Sequence, residues 1–265
     1  MPHAADSWPS ALLVALWSAG ILYTVITAQR GRKYFIRRIP GLNAIDEAIG
    51  RATEMGRPIL MVPGVSDLKD DIVPLQALMI FSHVVKSSAQ FGNRILLPCA
   101  YSSVYTVADE VVRDCYAQAG RPELYDSESV RFISDRQFAF ASGVAGLIFR
   151  EKVAASFLFG NFYAESLIFA ETGQQVGAIQ IAGTPQTTQI PFFIASCDYT
   201  IIGDEYYAAS AYISREPTLL GSLVGQDLAK GVILVLIVIG VVVAAWCGAH
   251  GIPAKQTFFY QWFSF

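Results

Sequence analysis

Between Lys230 and His250 the chain carries no charge, and its stretch from Gly231 to Cys247 reads GVILVLIVIGVVVAAWC. Eleven of those residues are Val, Ile or Leu, and at a few tenths of a kcal/mol each they favour insertion into a bilayer by roughly 3 to 6 kcal/mol. As a helix the uncharged run is about 28 Å long, close to the hydrocarbon thickness of a bilayer. The sequence therefore predicts a membrane protein.

A second stretch, ALLVALWSAGILYTVITAQ (11–29), is apolar enough to be another membrane helix. A secretory signal would place basic residues before such a run and a small-residue cleavage site after it. Here the opening MPHAADSWPS has no Lys or Arg, whereas Arg30, Arg32, Lys33, Arg37 and Arg38 all follow. A buried core helix is the alternative, but no charge falls between Asp6 and Arg30, and the basic cluster stands where a stop signal belongs. Because cytoplasmic flanks carry the Lys and Arg excess, the cluster predicts an N-terminus outside and a central region in the cytoplasm. The second span then returns the C-terminus to the outer side. The expected segments are 1–10 outside, a span at 11–29, an α/β domain with its connector at 30–229, a span at 230–249 and an outer tail at 250–265.

The chain is 53% hydrophobic and 15% charged, high for a wholly soluble protein, and the excess sits in the two ends. A net charge of −3, with no basic stripe in the middle region, argues against nucleic acid as a partner. Cys99, Cys115, Cys197 and Cys247 show none of the C-x-x-C spacings of zinc, iron–sulfur or redox sites. They read as small core residues.

In the middle region short apolar runs alternate with helical patterns. Asn43 and the acidic residues after it read as a helix start, and Pro58 to Val62 reads as a buried strand turning at Pro63 and Gly64. Further strands are expected at 94–98, 130–133, 153–159, 177–181 and 199–202. Between them, helices are expected at 75–90, from Ser102 to Gly120, from Ser134 through Leu147, at 162–171, at about 187–196 and from Asp204 to about Ile213. Residues 217–229 read as a helical or extended connector. Such alternation, with short connections, predicts a Rossmann-like, mostly parallel sheet with helices on both faces, flanked by two transmembrane helices.

Few motifs carry chemistry. The first βα turn, VPGVSDLK, has neither G-x-G-x-x-G nor G-x-x-x-x-G-K-[ST], so no dinucleotide or P-loop cradle is encoded there. His83, the only histidine between the spans, falls mid-helix, and Ser166 is not on a G-x-S-x-G elbow. No His or Cys cluster has metal-ligand spacing, and no cofactor is indicated. What remains is the carboxyl edge of the expected sheet, where open α/β folds place ligands. Ser66, Asp67, Ser102, Ser103, Asp135, Asn161, Thr184 and Asp204 all fall at expected strand ends. They are candidates for binding a small polar ligand or an anion, although as helix caps they would be equally at home.

The segments NAIDEAIGRATEMGRPILMVPG (43–64), FGNFYAESLIFAETGQQVGAIQIAGT (159–184) and PFFIASCDYTIIGDEYYAASAYIS (191–214) resemble a family of bacterial membrane proteins defined as domain of unknown function 6754. The resemblance spans most of the central domain and implies a bacterial inner membrane, but it brings no activity, cofactor or catalytic residue with it. Two functions from different classes follow. One is a non-catalytic assembly subunit, a homo-oligomer or a partner of other membrane subunits, packing through its membrane helices, the apolar run FASGVAGLIF (140–149) and the aromatic tail QTFFYQWFSF. The other is a membrane-tethered enzyme or small-ligand sensor using the carboxyl-edge cleft.

Overall fold

A computed structural model describes residues 8–32, 34, 39–214 and 216–250. The first seven residues, Lys33, Arg37 and Arg38 of the basic cluster, and the aromatic tail lie outside the described residues. The chain divides into two compact units, one formed by residues 37–214 and the other by the two terminal segments. In chain order, α1 (Trp8–Gln29) precedes α2 (Pro40–Met55), β1 (Ile59–Gly64), α3 (Val73–Phe91), β2 (Ile95–Cys99), α4 (Ser102–Gln118) and β3 (Val130–Phe132). Then come α5 (Gln137–Glu151), β4 (Ala155–Asn161), α6 (Glu165–Val176), β5 (Ile179–Thr184), α7 (Ile190–Ser196), β6 (Tyr199–Ile202), α8 (Glu205–Ser214) and α9 (Pro217–Ala249).

The central unit is a six-stranded sheet in the order β3-β2-β1-β4-β5-β6, with every pairing parallel. Its inner strands are buried along their whole length, which is why they read as continuous apolar runs rather than alternating ones. The two-residue period sorts their side chains between two cores. Ile59, Met61, Phe157 and Phe159 join α2, α3, α4 and α8 on one face. Leu60, Val62 and Leu158 join Phe140 of α5, Phe169 of α6 and Phe193 of α7 on the other. The expected run at 140–149 is thus mostly core: Phe140, Ala141, Val144, Leu147 and Ile148 are buried, leaving Phe149 and the neighbouring Phe138 exposed.

The helix starts differ from the expected ones for a local reason. Asn43 lies inside α2, which begins at Pro40, because proline is favoured in a first turn and needs no amide partner there. Ser66 and Asp67 do not cap α3; an eight-residue loop follows β1, and Asp71 Oδ1 accepts from the Val73 amide 3.1 Å away. Ser102 and Ser103 are the first residues of α4, whose N-cap is Tyr101. Asn161 ends β4 instead of capping α6, and the helix runs past Gly173 to Gly177, a left-handed stop. Small polar residues near strand ends suit caps and turns alike, so their type alone does not set the boundary.

The terminal unit is an antiparallel helix pair. Both α1, from Ala11 to Gln29, and α9 are long and apolar enough to cross a membrane, and Val14, Leu16, Leu22, Leu234, Ile237 and Val241 face outward. Residues 217–229, read as a helical or extended connector, continue the same helix as the uncharged run. Gly221 and Gly225 are buried in the seam. A Cβ at Gly221 would stand 2.6 Å from the Val25 Cα, and one at Gly225 would stand 3.0 Å from the Ile21 Cα. This is the small-xxx-small spacing that lets two helix backbones approach. Opposite it on α1, Thr24 is buried and turns its hydroxyl onto the Ile21 carbonyl at 2.8 Å.

Candidate functional site

The strand order reverses between β1 and β4: the chain leaves β1 towards the core shared by α3 and leaves β4 towards the one shared by α6. In open parallel sheets a crevice opens beyond the carboxyl ends of such a pair. Two glycines close the junction. Gly64 and Gly160 have φ of +83° and +148°, and a Cβ on either would strike the backbone of the other strand, 2.5 Å from the Asn161 oxygen or 2.3 Å from the Pro63 oxygen. Beyond this close approach the Val65 amide donates to the Asn161 carbonyl at 2.8 Å.

On one side of the junction the loop after β1 meets α4 and β4. Ser103 Oγ donates to Asp67 Oδ1 at 2.5 Å, and the Lys69 amide donates to the same oxygen at 3.3 Å. Asn161 Nδ2 donates to Asp71 Oδ2 at 2.5 Å and lies 3.4 Å from Ser66 Oγ. Asn161 is buried, so its amide ties the loop to the sheet where water competes little. The Ser103 hydroxyl is the main reason that the Asp67 carboxyl sits below its ordinary value of 3.8. A carboxyl depressed by folding contributes stability that is present above its unfolded value and lost as pH falls through the lower folded value. Ser103→Ala should therefore raise the Asp67 carboxyl towards 3.8 and reduce that acid-range contribution, as an NMR titration of the Asp67 side chain would report. An unmoved titration would mean that the Ser103 contact does not hold in solution.

On the other side a pocket of about 140 Å³ is lined by Val65, Ala100, Tyr101, Asp135, Gln137 and Tyr163. Its wall is braced from behind by Glu165, which is fully buried. Glu165 Oε2 accepts from Gln137 Nε2 at 2.5 Å, and Oε1 accepts from the Tyr163 amide at 2.7 Å. The carboxyl of α6 thus fixes the first residue of α5 and the turn after β4. Asp135 is exposed at the rim, just beyond Ser134, whose Oγ accepts from the Arg136 amide at 3.1 Å.

The structure gathers some of the expected site residues and scatters others. Ser66, Asp67, Ser103 and Asn161 belong to the first group of contacts, and Asp135 belongs to the pocket. Ser102 is exposed on α4. Thr184 is buried at the end of β5, where its hydroxyl accepts from the Gln186 amide at 3.1 Å and closes a turn. Asp204 is exposed beyond β6, the edge strand. Asp71, Tyr101, Gln137, Tyr163 and Glu165 were not legible as site residues. Only Glu165 left a signal, as an acid in a helical first turn reaching back to an upstream amide.

Thiol chemistry is disfavoured at buried Cys99 and at half-buried Cys197. Burial pushes the Cys99 thiol far up and that of Cys197 up to about 12, so little thiolate is present at neutral pH. Among the described residues no three His, Cys, Asp or Glu side chains group as a metal site. The family model for a domain of unknown function, DUF6754, matches residues 4–253. The chain belongs to this family. No curated protein and no solved structure matches the chain. For this DUF6754 domain the crevice chemistry is therefore read from geometry: carboxylates, tyrosines and amides, with histidine and thiolate elsewhere.

Proposed function

We propose that this DUF6754 protein is a non-catalytic, membrane-anchored assembly subunit that pairs with a second copy of itself through the outer side of α9. In this reading α1 and α9 cross the bacterial inner membrane, both termini lie outside, and the α/β domain is cytoplasmic. The observation that supports it is a pair of opposite charges on α9, Lys230 bounding the uncharged run and Asp227 about one turn before it.

Both Asp227 and Lys230 are on the exposed side of α9. Charges at the end of an apolar run stand at headgroup level, where side chains of neighbouring helices can pair across an interface. An acid and a base three residues apart are self-complementary about a twofold axis, so in a pair of copies each Asp227 can meet the partner's Lys230.

Sizing in a mild detergent tests this. Wild-type protein should run as a dimer or larger, Asp227→Lys should shift it towards monomer, and the charge swap Asp227→Lys with Lys230→Asp should restore the association. A wild-type monomer, or an assembly indifferent to all three changes, would remove the proposal. Cysteines introduced at Ser7 and Gln256 should label from outside intact cells; protection of both would invert the topology.

A second reading, small-ligand binding in the crevice, is favoured by the pocket braced by Glu165. A thermal-shift screen checks it, since a ligand at a hundred times its dissociation constant stabilises by about 2.7 kcal/mol.

A further inference from the structure

We infer that the pocket at the strand-order reversal takes a small organic ammonium ion, held by the Asp135 carboxylate and the rings of Tyr101 and Tyr163. The inference rests on the crevice reading above and names the ligand class. Its first ground is the lining. Tyr101, Tyr163 and Asp135 line one small space together with Val65, Ala100 and Gln137. Aromatic rings attract a cation through the negative face of the π-system, and they do so best where water is partly displaced. An ammonium ion with methyl groups suits such a lining, because its charge is spread over an apolar surface that can also pack against Val65 and Ala100.

The second ground is the charge behind and around the wall. Gln137 commits one of its two amide N–H groups to Glu165, whose oxygen lies 2.5 Å from that nitrogen. The Tyr163 amide is likewise committed to Glu165. Two N–H groups at this wall are therefore spent on a buried carboxyl. An anion in the pocket would face Asp135 with Glu165 close behind. Arg136, exposed between Asp135 and Gln137 in sequence, Lys69, exposed on the loop after β1, and Arg131 on β3 are the cations nearest in the chain. None of the three lines the pocket.

Size narrows the class further. At about 140 Å³ the space is well below the roughly 300–1,000 Å³ of sites that enclose drug-sized molecules. The occupant is a small amine, or the ammonium head of something larger whose remainder stays outside.

The test is calorimetric titration of the full chain in a maltoside detergent and an amine-free buffer. The probes are tetramethylammonium, choline and methylammonium, set against phosphate, acetate and glucose. Saturable binding of at least one ammonium probe is expected, weakened about tenfold or more by Asp135→Asn and by Tyr163→Ala. Both side chains are exposed enough that the variants should keep the wild-type thermal transition without ligand, which separates lost binding from lost folding. Binding unaffected by either change would overturn the site. Phosphate, acetate or glucose binding that depends on Asp135, with no ammonium binding, would overturn the ligand class while leaving the crevice reading intact. No binding by any probe at millimolar concentration would overturn both.

Discussion

Gly160→Ala is expected to destabilise the α/β domain by roughly 4 kcal/mol, combining backbone strain of about 1–3 with a steric clash of similar size. The residue has φ of +148°, and the new methyl would sit 2.3 Å from the Pro63 oxygen and 2.6 Å from its carbon. Backbone atoms cannot rotate away as a side chain can. The neighbouring strand must move, and it is the strand that carries the loop bearing Ser66, Asp67 and Asp71. The control is Gly177→Ala, also at positive φ (+72°) but with no atom within 4 Å of the added Cβ, for which about 1 kcal/mol is expected. Denaturant unfolding of the full chain in detergent, followed by near-ultraviolet circular dichroism, measures both. Equal costs would show that β1 and β4 are not in close approach at this point.

The helix pair should be equally intolerant at its seam. Gly221→Leu and Gly225→Leu place side chains where the α1 backbone lies 2.6 Å and 3.0 Å from a single added carbon. The axes must then separate by about 2 Å or more, since interaxial distance follows the side chains at the contact. Gly240→Leu, in the same helix but with nothing within 4 Å, should leave the spacing unchanged. Spin labels at the exposed Tyr23 and Leu228 would report the distance by double electron–electron resonance. An unchanged distribution in the seam variants would mean that these glycines do not meet α1.

Much of the architecture was legible because it depends on burial that is periodic in sequence. Strands such as ILMVPG and IQIAGT are buried on both faces, so they stand out as short apolar runs between helical patterns. Helix ends were less legible. Asn43, Ser66, Ser102 and Asn161 are competent caps by type, yet α2 and α4 begin next to Ile39 and Tyr101 without a side-chain cap bond, and at α3 the acceptor is Asp71 instead of Ser66. There the tertiary packing of the apolar face overrides the local preference.

The crevice was half legible, for a similar reason. The rule that ligand sites gather at carboxyl ends of strands pointed to Asp67, Asp135 and Asn161. It could not rank strand ends without the strand order, so Thr184 and Asp204, which serve β5 and β6, were included with them. Gln137 and Glu165 became visible only as a pair, because their contact joins residues 28 apart in the chain.

By itself the sequence determined the two apolar helices, the alternation that makes an α/β layer, and the family. The first two are local properties, carried by composition and period within a window of about twenty residues, and the family is carried by the sequence along most of the chain. Tertiary structure alone decided which strands lie side by side, and hence that β1 and β4 form the crevice. It also decided that α9 extends back to Pro217 and meets α1 through Gly221 and Gly225, which brings Asp227 and Lys230 alongside an apolar helix. These are properties of pairing between distant segments. A glycine, an acid or a lysine reads the same in the chain whether it faces water, a neighbouring backbone or the middle of a helix pair.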